Sequence, residues 1–218
     1  MEGIWARTRR IPHGVAAILL REPKWLHVLH ALSVPHATGE VDALVVARAK
    51  RGDQAAFADI VRHYDHRLRA LAFRLLGDRD RMDDALQEAY VKAFRSLPRF
   101  KGASALGTWL YRITYNACID ELRRGSAGAQ VTDDADSAAS VADSRPGPEE
   151  IAVGRYDLAA ALDRLPPDQR AVVLLVDGYG LDYADAADVL GVRAGTVGSR
   201  LSRARAALRE ALGGEAQR

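Results

Sequence analysis

Thr196, Ser199, Ser202, Arg203 and Arg205 lie on the outer face and flanks of one run, whose Val197, Leu201, Ala204 and Leu208 share the opposite side. Hydroxyls and guanidinium groups on a helix can enter a DNA groove and bond base edges and phosphates. The preceding residues supply a companion helix. Tyr183, Ala186, Ala187 and Leu190 recur at i, i+3, i+4 and i+7, an amphipathic stripe, and Gly191 follows with the backbone freedom of a sharp turn. Helix, tight turn, helix over 181–212 is the arrangement whose second helix lies in the major groove. A basic helical hairpin that is merely solvated is the competing reading.

A second constellation lies in RFKGASALGTWLYRITYNACIDELRR, residues 99–124. Phe100 and Lys101 fall in a Gly- and Ser-containing loop, and Arg112 and Asn116 on the polar side of the helix that follows. An aromatic ring beside a cation, an arginine and an amide can hold one unstacked base by stacking and hydrogen bonding. Core packing is the alternative for Phe100 and the favoured reading for Trp109. A third group, Asp83, Asp84, Gln87 and Glu88, gives an acidic edge near a helix N-terminus, where the dipole favours carboxylates. That edge is explained by helix stability alone or by docking to a basic partner helix.

Catalytic chemistry finds no support. The sequence shows no Gly-rich phosphate loop and no nucleophile with a base. The lone Cys118 permits neither an internal disulfide nor a Cys-based zinc site and reads as a buried structural thiol, consistent with a reducing cytoplasm. His63 and His66 have a metal-compatible spacing but no further ligand set, so no metal or cofactor is expected.

The elements that must position these groups are helical. The 218 residues are 48% hydrophobic and 28% charged, enough for one or two small cores, and the net charge of +2 hides a basic C-terminal stretch and an acidic one over 133–143. The early apolar run 15–20 is far short of the roughly 20 residues of a membrane span. Thr8-Arg9-Arg10 has the look of a twin-arginine signal, but Pro12, His13 and Gly14 follow it and Arg21, Glu22 and Lys24 interrupt the apolar run, so no signal peptide is expected. Residues 1–38, with Pro12, Pro23 and Pro35, read as a flexible arm or as residues encoded upstream of the true start. Asp42 to Arg51 reads as a short helix ending at Gly52, and Asp53 as the cap of the next. Phe57, Ile60, Val61, Tyr64, Leu68, Leu71, Ala72 and Leu75 form a continuous stripe, as do Met82, Ala85, Leu86, Ala89, Ala93 and Leu97. Residues 125–148 are rich in Ala, Ser, Gly and Asp and read as a disordered acidic linker. Glu149 opens a second domain, in which Pro166-Pro167 can begin a helix and Gly178 and Gly180 break it. The fold class is therefore all-α, two small helical domains joined by that linker.

Taken in order, DALQEAYVKAFRSLPRFKG, TWLYRITYNACIDELRR, LDRLPPDQRAVVLL and GVRAGTVGSRLSRARAALRE resemble the extracytoplasmic-function (group IV) sigma factors of bacterial RNA polymerase over residues 41–124 and 149–212. The resemblance implies region 2 at 39–124, the linker at 125–148, region 4 at 149–212 and a tail at 213–218. It implies that Asp83, Asp84, Leu86, Gln87 and Glu88 dock on the β′ clamp helices of core polymerase, with the β flap a further contact. Phe100, Lys101, Ser104, Arg112 and Asn116 would capture a non-template base of the −10 element. Thr196, Ser199, Arg200, Ser202 and Arg203 would read the −35 element. The linker would thread toward the RNA exit channel, and an anti-sigma factor would hold the chain inactive in the cytoplasm. Three departures stand out: Gly198 where the family commonly has Arg or Lys, Ala103 where an acid is frequent, and Leu106-Gly107 in place of an aromatic-plus-polar pair.

An autonomous dimeric helix-turn-helix regulator is the alternative function, and a helical enzyme with an appended DNA-binding domain lacks supporting residues. Removing residues 1–38 is expected to leave promoter-directed transcription intact, and loss of run-off product with core polymerase would refute it.

Overall fold

The computed structural model describes residues 41–128 and 157–213, and every regular element among them is helical. The expectations for 1–38, for the linker beyond 128, for Glu149 and for the tail beyond 213 fall outside the described residues.

Aspartates start the helices. Asp42 caps α1 (Ala43–Lys50) by accepting the Leu44 N–H at 2.8 Å. Asp53 caps α2 (Gln54–Leu76) through the Ala56 N–H at 3.0 Å, and Asp78 caps α3 (Arg79–Ser96) through the Arg81 N–H at 2.9 Å. Each cap is worth about 1 kcal/mol, because it satisfies a donor that has no partner inside its helix. Gly77 ends α2 at φ +69°, a left-handed conformation that favours glycine. A single 3-10 turn, Leu97–Arg99, closes α3 and leads to the loop before α4 (Leu106–Gly128). The sequence places the linker from Gly125, but α4 continues to Gly128, since extending a formed helix costs far less than starting one. A Cβ at Gly125 would lie 2.7 Å from the Arg81 guanidinium, so glycine there leaves that arginine room.

The first unit packs α2, α3 and α4 around Leu68, Leu71, Leu86, Ala89 and Cys118, all fully buried. Each large apolar side chain buried there contributes roughly 1.5–3 kcal/mol. Polar staples fix the register. Arg69 bridges Asp65 of α2 (3.0 Å) and Asp83 of α3 (2.6 Å), and the Tyr90 hydroxyl donates to Asp65 at 2.7 Å. Arg81 donates to the Glu121 carbonyl at 3.0 Å, and Arg124 joins Glu88 (3.1 Å) to Glu121 (2.8 Å), tying α3 to α4.

The second unit comprises α5, described over 157–163, α6 (Pro167–Val173), α7 (Tyr183–Leu190) and α8 (Ala194–Gly213). After α6 the chain does not break at once. It widens into a π turn, Leu174–Gly178, in which the Tyr179 N–H reaches the Leu174 carbonyl at 2.8 Å, and it ends at Gly180 with φ +71°. This turn places the Asp177 carboxylate, 4% exposed, beneath α8, where the Arg205 guanidinium grips both its oxygens through Nε and Nη2.

The two units touch. The Tyr111 and Tyr179 rings stack at 5.3 Å with 23° between planes, the Tyr179 hydroxyl donates to the Arg67 carbonyl at 3.3 Å, and Arg170 donates to the Arg74 carbonyl at 3.0 Å. Burial pushes the Tyr179 hydroxyl well above the ordinary tyrosine range.

Replacing Arg205 with Ala leaves Asp177 buried without its cation and is expected to cost about 3–5 kcal/mol. Asp177→Asn should cost less, about 1.5–3 kcal/mol, because Arg205 is 38% exposed and can hydrate. Urea unfolding of both variants checks the order, and equal losses would contradict it.

Candidate nucleic-acid and docking interfaces

The helix-turn-helix is built by caps on both sides of one turn. Asp182 caps α7 by accepting the Asp185 N–H at 2.8 Å. Gly191 turns the chain at φ +65°, and the Val192 N–H closes on the Ala187 carbonyl at 3.1 Å. Val197, Leu201, Ala204 and Leu208 are buried to within 1%, so α8 is held by the face its periodicity indicates. In α7 the apolar stripe shifts. Val189 is buried and Tyr183 is 45% exposed, because a tyrosine in the first turn can leave its ring at the surface.

That burial sorts the polar residues of α8. Ser199, Ser202 and Arg203 are exposed and Thr196 is half-exposed. The Ser199 hydroxyl donates to the Thr196 carbonyl at 3.0 Å. Arg203 meets no carboxylate among the described residues. Arg200 and Arg205 do not join this face. Arg200 is 24% exposed and paired with Asp168 of α6 at 3.1 Å, and Arg205 is held by Asp177. Arg193, exposed in the turn immediately before α8, is a cation that the helical pattern passed over. Its position at the N-terminal end of the second helix of the pair was the available signal. A Cβ at Gly198 would lie 3.5 Å from the Tyr183 ring, so that position faces α7 more than the outer side.

In the first unit, the loop after the 3-10 turn is held at both ends. Lys50 of α1 donates to the Phe100 carbonyl at 2.7 Å, and Gly102 turns at φ +72°. Phe100 is half-buried with its ring 5.1 Å from that of Trp109, which is itself 7% exposed and core, so Phe100 offers one edge rather than a free platform. Phe100 and Ser104 line an open cleft of about 1080 Å³ with Lys50, His63, Tyr64 and Arg67, and Tyr179, Leu181 and Asp185 of the second unit form its far wall. Lys101, Arg112 and Asn116 are exposed but do not line it, and the last two share one face of α4, four residues apart. Gly107 admits the Tyr64 ring, to which a Cβ there would come within 3.1 Å, and this accounts for glycine before Thr108.

The acidic edge of α3 is divided. Asp83 is paired with Arg69 and Glu88 with Arg124, while Asp84 and Gln87 are exposed and Asp84 has no ion pair among the described residues. Leu86 is 1% exposed and supports the edge from within, because the helix period turns it to the core. Val91, 44% exposed, lies on the same outer face as Asp84 and Gln87 and was missed. Its spacing at i+7 and i+4 from those residues would have found it. Cys118 is buried, and burial pushes its thiol up to about 12.

Comparison with known proteins gives a consistent result. The family model described as sigma-70 region 2 matches residues 60–127, and that of sigma-70 region 4 matches residues 155–208. The chain is 41% identical to the ECF RNA polymerase sigma factor SigM of Mycobacterium tuberculosis, covering 79% of this chain and 85% of that one. It is 33% identical to the ECF RNA polymerase sigma-E factor of Escherichia coli, covering 77% and 92%. Among solved structures it resembles the sigma factor RpoE in complex with the anti-sigma factor NepR from Bartonella quintana, with 30% identity, a TM-score of 0.63 and coverage of 72% and 96%. It also resembles CnrH in complex with the cytosolic domain of CnrY, with 27% identity, a TM-score of 0.57 and coverage of 78% and 96%.

Gly198→Ala is expected to stabilise the protein by about 0.8–1.0 kcal/mol through helix propensity, since the added Cβ makes an ordinary contact with Tyr183. A thermal melt at or below that of the parent would contradict this.

Proposed function

This chain belongs to the extracytoplasmic-function sigma factors of bacterial RNA polymerase, and from that premise we propose how its residues divide the work. It is an RNA polymerase sigma factor, the subunit that directs promoter-specific initiation. The observation that carries this is the order of region 2 and region 4 along one chain, shared with sigma factors over most of its length. The autonomous regulator is not favoured, because such a protein has no use for a region 2.

The first unit, 39–124, then acts as the −10 and polymerase-binding domain, and the second, 149–212, as the −35 domain. On the outer face of α8, Thr196, Ser199, Ser202 and Arg203 read the −35 major groove, with Arg193 at its end contacting a phosphate. Support comes from their exposure and from the absence of a carboxylate on Arg203 among the described residues. Arg200 serves this face only if it leaves Asp168. In the first unit the Phe100–Ser104 loop and its cleft receive an extruded −10 base, and Lys101, Arg112 and Asn116 track the strand beside it. Opening a duplex costs stacking and pairing, so a pocket for the extruded base favours the melted state. On α3, Asp84, Gln87 and Val91 form the exposed patch for the β′ clamp helices, with Asp83 and Glu88 available to exchange an internal arginine for one on the polymerase. Leu86 supports this patch from the core.

The chain works as a non-enzymatic cytoplasmic subunit without a cofactor. No described helix is long and apolar enough to cross a membrane. An anti-sigma factor is its inhibitory partner, a reading supported by the similar sigma factor RpoE, which is seen in complex with the anti-sigma factor NepR.

Reconstitution with core polymerase tests the division of labour. Arg203→Ala should weaken promoter binding by about 1–3 kcal/mol and relax −35 preference, leaving opening at a preformed bubble intact. Asn116→Ala should impair opening, read by permanganate footprinting, more than −35 binding. Identical defects in the two variants would refute the division.

A further inference from the structure

The outer face of α8 is bordered by an aromatic side chain that belongs to α7. Tyr183, in the first turn of α7, is 45% exposed. Its ring is nevertheless placed. A Cβ at Gly198 would lie 3.5 Å from the ring carbon Cε2, so the ring rests beside α8 where position 198 carries no side chain. Gly198 and Arg205 are seven residues apart, about two helical turns, and share the flank of α8 that faces α7. Ser202, which is exposed, falls between that flank and the outer face occupied by Ser199 and Arg203. The Tyr183 ring thus stands at the edge of the face assigned to the major groove.

Its hydroxyl is available, with no hydrogen-bond partner among the described residues. It lies close enough to the Arg205 guanidinium to act on its charge, and that guanidinium is 38% exposed although Asp177 holds it. A free donor beside a partly exposed cation favours an anion. In a helix-turn-helix the first helix crosses the DNA backbone. Phosphate oxygens there accept from tyrosine hydroxyls or from the amides of a helix N-terminus. In α7 the amide route is already occupied, because the Asp182 carboxylate accepts the Asp185 N–H at 2.8 Å. Tyr183 is the next residue, and its long side chain carries a donor past that cap toward α8.

We propose that Tyr183 is a DNA-backbone residue of the −35 reader, its hydroxyl donating to a phosphate at the edge of the groove that α8 enters, with Gly198 keeping that seat open. The proposal rests on the assignment of α8 to the −35 groove. A phosphate contact fixes the register of a helix on the duplex and carries no sequence information. Tyr183 therefore sets how tightly α8 sits, and Arg203 which bases it accepts. Being neutral, the hydroxyl displaces no counterion, so this contact persists at salt concentrations where arginine contacts weaken.

Reconstituted holoenzyme tests this with two fluorescent duplexes from a promoter that it opens, one spanning both elements and one ending downstream of the −35 element. Tyr183→Phe keeps the ring beside Gly198 and removes only the hydroxyl, so its thermal melt should match the parent. It should weaken binding of the long duplex about tenfold, the loss of one hydrogen bond to a charged group. The loss should be the same for parent and substituted −35 sequences, with an unchanged salt slope and no effect on the short duplex. Gly198→Arg should fill the seat with a cation, steepening the salt slope by about 0.9. In that background the Tyr183→Phe loss should shrink, as two groups sharing one phosphate require. Unchanged binding of the long duplex by Tyr183→Phe overturns the proposal, and so does an undiminished loss beside Gly198→Arg. A loss confined to the parent −35 sequence, which marks a base contact, also overturns it, as does an equal loss on the short duplex, which marks a polymerase surface. Arg203→Ala, measured alongside, separates the proposal from its premise. If Arg203→Ala relaxes −35 preference while Tyr183→Phe changes nothing, the backbone seat alone is refuted. If neither variant affects the long duplex, the −35 assignment of α8 fails with it.

Discussion

One buried carboxylate sets the geometry of the second unit. Asp177 lies in the π turn after α6, is almost fully enclosed, and meets the guanidinium of Arg205 from α8. An enclosed carboxylate without a cation would have to be neutralised or rehydrated. α8 is therefore held with Arg205 inward, and its period carries Ser199, Ser202 and Arg203 to the outer side. The same turn, by adding a residue to one helical repeat, throws Tyr179 toward the first unit. The outer face of α8 and the face that meets the first unit are thus set around one ion pair. π turns of this kind recur at functional sites because they redirect a side chain without ending the helix.

The arginines divide by what lies within reach. Arg69, Arg81 and Arg124 staple the three long helices of the first unit, and Arg170 satisfies a carbonyl at the end of α2. Arg200 and Arg205 are paired within the second unit. Arg112, Arg193 and Arg203 are exposed and carry no ion pair among the described residues. A net charge of +2 therefore says little about affinity for a polyanion. Phosphate binding depends on cations that are not already neutralised, and Arg203 on the outer side of α8, Arg193 in the turn before it and Arg112 on the polar face of α4 are among these.

Much of this was legible beforehand. The stripes through Leu68 and Leu71, through Ala85 and Ala89, and through Val197, Leu201 and Leu208 are core because only that period buries one side of a helix. Asp53 as a cap and Gly77 and Gly191 as turns follow from local backbone chemistry. The readings that failed needed a neighbour. Leu86 was read both as core and as part of a docking edge, and the fold buries it. Tyr183 was placed inward, yet Val189 takes that role. Arg205 was placed on the DNA face, and Phe100 was read as a possible open platform, yet each is engaged by a residue distant in sequence.

The sequence by itself determined the all-helical class, the order of the two sigma regions and which side of α8 is buried. Those properties are local: helical period, caps and turns depend on residues within a few positions of one another. Only the tertiary structure decided which charges remain available, and that the cleft beside Phe100 borrows a wall from the second unit, whose Tyr179 stacks on Tyr111. Pairing and burial depend on distance in space, and a chain of helices can bring any one of several arginines to a given carboxylate.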